Sequence, residues 1–124
     1  KPGGVLISWD PLGYNPIINV YREMATAVRT DDEEPLRFGI LDLFNDTFQS
    51  VQHREFWFLS LLIFVKYYLI DRVHPNDDRY WKRILKETDA TIPWIKPLLK
   101  LDNWLLRLPL LRRMAWTIVI YARK

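Results

Sequence analysis

The chain has no cysteine, so disulfides, thiolate zinc sites and a cysteine nucleophile are excluded. Glycine is scarce: the four residues stand at 3, 4, 13 and 39, and no G-x-G-x-G run occurs. A glycine-rich loop for close backbone approach to a dinucleotide or phosphate is therefore missing. Histidine is as thin, with only His53 and His74, and neither has a His-x-x-x-His or Glu-paired spacing. No metal site is expected. Ser8, Ser50 and Ser60 lack the surroundings of a nucleophile elbow. The most apolar stretch, Phe56–Ile70, contains Ser60 and Lys66. It falls short of the roughly 20 apolar residues of a membrane span, and Lys66 would be costly in lipid. We expect a buried or interfacial helix there.

What is present is apolar and aromatic. The 124 residues are 49% hydrophobic, with six each of Trp, Tyr and Phe. That suits one small domain with a large buried area, or a face meeting lipid, a partner or an aromatic ligand. The net charge of +3 is unevenly spread. Residues 1–60 hold five basic and nine acidic side chains, whereas 96–124 hold seven basic and one acidic. A basic C-terminal third rich in Leu and Trp suits an anionic surface, or is a solvated helix flank. Nucleic acid is not expected, because basic residues do not cluster beside exposed-looking aromatics as a stacking platform requires.

Along the chain, Pro2-Gly3-Gly4 signals a turn, and Val5–Trp9 is a continuous apolar run. That run predicts a strand covered on both faces in a parallel sheet. Asn15 suits an N-cap and Pro16 the first helical position. The spacing of Ile17, Tyr21, Met24, Ala25 and Val28 predicts a helix over 16–29. An acidic loop follows at 31–34, then a short helix over 36–45 and a strand over 48–58. Further helices are expected over 78–90 and 98–108, interrupted by Pro93 and Pro97 and stopped near Pro109. Residues 114–122 predict a final strand. Strand, loop acid and helix together predict an α/β sheet whose ligand lies beyond the carboxyl ends of its strands.

The run Asp10-Pro11-Leu12-Gly13-Tyr14-Asn15-Pro16, with Asn19, Tyr21-Arg22, Arg29-Thr30 and the acids leading to Pro35-Leu36, resembles one bacterial subgroup of class I S-adenosylmethionine-dependent methyltransferases. There a Pro-Gly-Gly turn precedes the fifth strand, and strands six and seven close the sheet as an antiparallel hairpin. Leu108–Trp116 leading into a strand is similar to the same subgroup. Two positions depart from it: Asp10 stands where Glu is commoner, and Tyr14 where His is usual. The resemblance implies a C-terminal part of a Rossmann-like sheet, as a single partial domain with a helical insertion over about 59–110. It implies methyl transfer to a small acceptor, a lipophilic one included. The S-adenosylmethionine would be held by a missing N-terminal half of the same enzyme, in the cytoplasm. The isolated chain is expected to be inactive.

The candidate substrate-binding residues are Asp10, Tyr14, Asn15, Arg22 and Arg29. Asp10 either binds substrate, and can take its proton, or bonds turn amides. Tyr14 either lines the acceptor pocket or packs, and Asn15 is either a helix cap or a ligand. Arg22 and Arg29 share one helical face. They either tie down the acidic loop or form an anion site. His53 is expected on a sheet face and His74 in a loop. The stripes at 56–70 and 94–108 are core, or a cap over the pocket. The alternative to an enzyme is a basic amphipathic helical module that binds a membrane surface or protein partner. Trp104, Leu105, Leu108 and Leu111 would then enter the interface, with Arg107, Arg112 and Arg113 at headgroup level.

Overall fold

The computed structural model describes residues 3–28 and 34–124. Arg29 and the acids at 31–33 lie outside the described residues. The fold is mixed α/β. Strand β1 (Val5–Pro11) leads into α1 (Pro16–Met24) and a 3-10 turn, Thr26–Val28. Then come α2 (Ile40–Thr47), β2 (Ser50–Phe56), a 3-10 turn (Leu59–Leu61) running into α3 (Leu62–Leu69), α4 (Tyr80–Lys86), α5 (Thr88–Leu105), α6 (Pro109–Arg112) and β3 (Thr117–Arg123).

The three strands form one sheet in the order β1-β3-β2, with β3 antiparallel to both neighbours. The register sets Ile118 between Asp10 and Glu55, and Ile120 between Ser8 and His53. Because side chains alternate across a strand, Ile118, Ile120 and Ala122 share one face, and all three are fully buried. Ile118 and Ile120 pack with Leu12, Leu106 and Ala115, flanked by Phe38, Leu41 and Phe44 near α2. The opposite face carries Val5, Ile7, Trp9 and Tyr121, all exposed. A second core joins α1, α3 and α4 through Ile18, Tyr21, Phe64, Tyr67 and Tyr80.

Several elements differ from the sequence expectation. Strand β1 is not covered on both faces between parallel neighbours. It pairs only with antiparallel β3 among the described residues, and Ile7 and Trp9 are 68% and 67% exposed. Helix α1 stops at Met24, where the Ala25 N–H closes the last turn on Tyr21 O at 2.9 Å. Helix α2 begins at Ile40 rather than Leu36, because Leu36 forms a parallel bridge to Leu12 and its N–H donates to Pro11 O at 2.8 Å. Pro93 and Pro97 do not break the chain; both lie inside α5. Pro109 opens α6 instead of ending a helix. Strand β3 begins at Thr117 rather than Met114, because the Met114 carbonyl accepts from Asn15 and the Trp116 N–H turns to Trp57 O at 2.7 Å. Among the described residues no helix is long and apolar enough to cross a membrane.

Candidate functional site

The loop from β1 to α1 is held nearly residue by residue. Leu12 is fully buried, and its N–H donates to Trp116 O at 2.7 Å. Gly13 admits the returning chain: a Cβ there would meet Pro35 Cγ at 2.9 Å. The Tyr14 hydroxyl accepts from the Phe38 N–H at 3.1 Å, and its ring packs on Phe38. Asn15 Oδ1 accepts from the Ile17 N–H at 2.9 Å, capping α1, while its Nδ2 donates to the Met114 carbonyl. Pro16 occupies the first helical turn, and Asn19 Nδ2 donates to Gly13 O at 3.0 Å.

These bonds give a structural duty to Leu12, Gly13, Tyr14, Asn15 and Asn19. Asp10 and Arg22 line one cavity of about 320 Å³, at the carboxyl end of β1. Ser8 Oγ donates to Asp10 Oδ2, which fixes the carboxylate. Arg22 is buried on the inner side of α1. Arg79, just before α4, brings a second guanidinium, while Trp9, Trp81 and Trp116 supply aromatic walls. Trp57, held in the left-handed region at φ 64°, stands between Trp9 and Trp116, with ring centroids 6.4 and 5.0 Å away. At the floor lies Thr117, 6% exposed, whose Oγ1 has no hydrogen-bond partner among the described residues. A buried hydroxyl without a partner costs free energy, so this atom is a ready point for a ligand.

Tyr21 also lines the cavity, with its ring 4.9 Å from Phe64 and 5.1 Å from Tyr80. Burial raises its phenol above the ordinary value. Tyr21 is therefore neutral near pH 7 and supplies shape, and Asp10 is the one acidic residue among the described residues that line the cavity.

Of the five sequence candidates, Asp10 and Arg22 line the same cavity. It places Tyr14 and Asn15 in the loop framework, and Arg29 lies outside the described residues. Sequence reasoning missed Arg79, Trp81, Trp116 and Thr117 as neighbours of Asp10. No local spacing links them, since they arrive from α4 and β3; the abundance of tryptophan was the one signal. Among the described residues no three His, Asp or Glu side chains gather as a metal site needs. No family model, no curated protein and no solved structure matches this chain.

Proposed function

We propose that this cavity is the acceptor site of a methyltransferase of the Rossmann-like, S-adenosylmethionine-dependent class. The observation that carries the reading is that Asp10 and Arg22 line one cavity. Both belong to the run that carries the resemblance, and the cavity lies at the carboxyl end of a strand. Ligands of α/β sheets bind at such ends. Strand order adds support: β2 and β3 pair antiparallel, like the hairpin that closes the sheet in that family.

The cavity suits a small, flat, partly apolar acceptor. Trp9, Trp81 and Trp116 offer ring faces. Arg22 and Arg79 would hold an anionic substituent, as guanidinium groups do with carboxylate or phosphate. Asp10 would take the hydrogen bond of the acceptor's hydroxyl or amine and fix its direction, the positioning that makes transfer fast. Thr117 Oγ1 would add a polar contact at the floor.

The residues described do not fit a cradle for S-adenosylmethionine. Gly13 is spent on Pro35, and nothing approaches the Cβ positions of Gly3 and Gly39 within 4 Å. In this reading the cofactor is held by polypeptide beyond these 124 residues, which also covers the exposed face of β1. Calorimetry on the chain joined to its upstream coding sequence should register S-adenosylmethionine binding; its absence there overturns the reading. In that longer protein, Asp10→Asn and Arg22→Met should each lower transfer at least tenfold with cofactor affinity unchanged.

A further inference from the structure

The corner made by α5 and α6 carries an observation unrelated to the acceptor cavity. Between residues 92 and 113 the sequence has one acid, Asp102. The fold turns it inward: it is 2% exposed. Its Oδ1 accepts from the Leu59 N–H at 2.6 Å, and its Oδ2 from the Phe58 N–H at 2.9 Å and Ser60 Oγ at 2.8 Å. The charges left on the surface of this corner, Lys96, Lys100, Arg107 and Arg113, are all positive. Beside them Trp94, Leu101 and Trp104 recur at spacings of one helical face, and Trp94 and Trp104 are 72% and 62% exposed. Leu108 and Leu110 extend the apolar strip past the end of α5 and are exposed too.

Against the same corner lies a cavity of about 380 Å³, lined by His53, Arg54, Glu55, Asn103, Arg107 and Arg112 among others. Its one carboxylate is already engaged. Glu55 Oε2 accepts from Arg112 Nε at 2.8 Å, and Oε1 pairs with His53 Nδ1. Arg54 is held by Asn103 Oδ1 at 3.1 Å. Three guanidiniums thus face a space in which a single, fully bonded carboxylate offsets them.

We infer that this corner docks on a bilayer rich in anionic phospholipid. Trp94, Leu101, Trp104, Leu108 and Leu110 enter the interfacial layer, and the arginine-lined cavity receives a headgroup phosphate. Aromatic and leucine side chains beside lysine and arginine are the composition of interfacial helices. Planar guanidiniums suit phosphate oxygens. The charge pattern selects the lipid: with Asp102 buried, residues 92–113 show no acid at the surface, and a neutral bilayer offers them only the apolar part of the attraction.

Flotation with vesicles of phosphatidylglycerol and phosphatidylcholine in equal parts, against phosphatidylcholine alone, tests this on the whole chain. Binding should be at least tenfold tighter to the anionic vesicles and should weaken with salt. Arg107→Glu and Trp104→Ser change exposed side chains, so circular dichroism should stay unchanged. Arg107→Glu should reduce binding about tenfold or more, since it removes an attracted charge and adds a repelled one, and Trp104→Ser should reduce it severalfold by removing an interfacial anchor. Equal partition to both vesicles, or variants that bind like the parent, overturns the proposal. So does binding of glycerol phosphate in solution without vesicle binding, which would make the cavity a site for a free phosphate ester. A dimer dissociated by Trp104→Ser without vesicle binding would assign the strip to a second copy and overturn it as well.

Discussion

Asn15 performs two tasks that no other side chain could combine so cheaply. It is 1% exposed, accepts from the first turn of α1 with its oxygen, and donates to Met114 with its nitrogen. One amide therefore ties the β1–α1 loop to the segment entering β3. Asn15→Ala removes the cap and leaves the Met114 carbonyl without this donor, so urea unfolding should show a loss of about 2–3 kcal/mol. Asn15→Asp keeps the cap but sets a carboxylate against that carbonyl, and should not recover the loss. Tyr80 gives a pH prediction. It is 1% exposed, and its hydroxyl donates to the Val73 carbonyl. Burial pushes its phenol from the ordinary 10.0 up to about 12. The folded state thus keeps a proton that the unfolded chain releases first. Its contribution is complete below pH 10 and is lost progressively as the pH rises from 10 towards 12. Melting temperatures across that window should fall less steeply for Tyr80→Phe, at the cost of about 1 kcal/mol at neutral pH for the lost hydrogen bond.

Helix α5 keeps two prolines within one span. Pro97 has no N–H to offer the carbonyl of Pro93, and Pro93 has none for Asp89, so two helical bonds are forfeited. The helix survives because Asp102, near its far end, binds the backbone N–H groups of the turn before α3. Asp102→Ala should strip that anchor, leave three amides without their acceptor, and cost about 3 kcal/mol in urea unfolding. Pro97→Ala should act in the opposite direction, raising the helical signal at 222 nm and the melting temperature. The same element explains how much could be read in advance. Asn15-Pro16 marks the start of α1 through local chemistry, and the apolar runs mark β1 and β3, so those elements were legible. Pro93 and Pro97 also looked decisive locally, yet a contact from residues 58–60, distant in sequence, overrides them. The site divides in the same way. Asp10 and Arg22 belong to one local run and were both legible there. Arg79, Trp81 and Thr117 reach the cavity only through the packing of α4 and β3, which no spacing in the sequence encodes.

At the scale of the molecule the sheet is covered unevenly. One face holds the fully buried Ile118, Ile120 and Ala122, whereas the other presents Val5, Ile7, Trp9 and Tyr121 to solvent. The outer edge of β1 also has no strand paired to it among the described residues. An apolar face next to an unpaired edge is a template for association. The 15.0 kDa chain should therefore self-associate in sedimentation velocity runs at tens of micromolar, with a concentration-dependent mass above that of the monomer. Ile7→Lys places a charge in the middle of the exposed face, at a side chain 68% exposed, and should shift the chain towards monomer without lowering its melting temperature. Joining the chain to its upstream polypeptide should have the same effect on association, if that polypeptide supplies the neighbouring strand and covering helices. If the unmutated 124-residue chain itself sediments as a single monomer and melts cooperatively, β1 needs no cover. The proposed enzyme would then lose its structural reason for a larger sheet, while the lipid-docking corner would stand untouched.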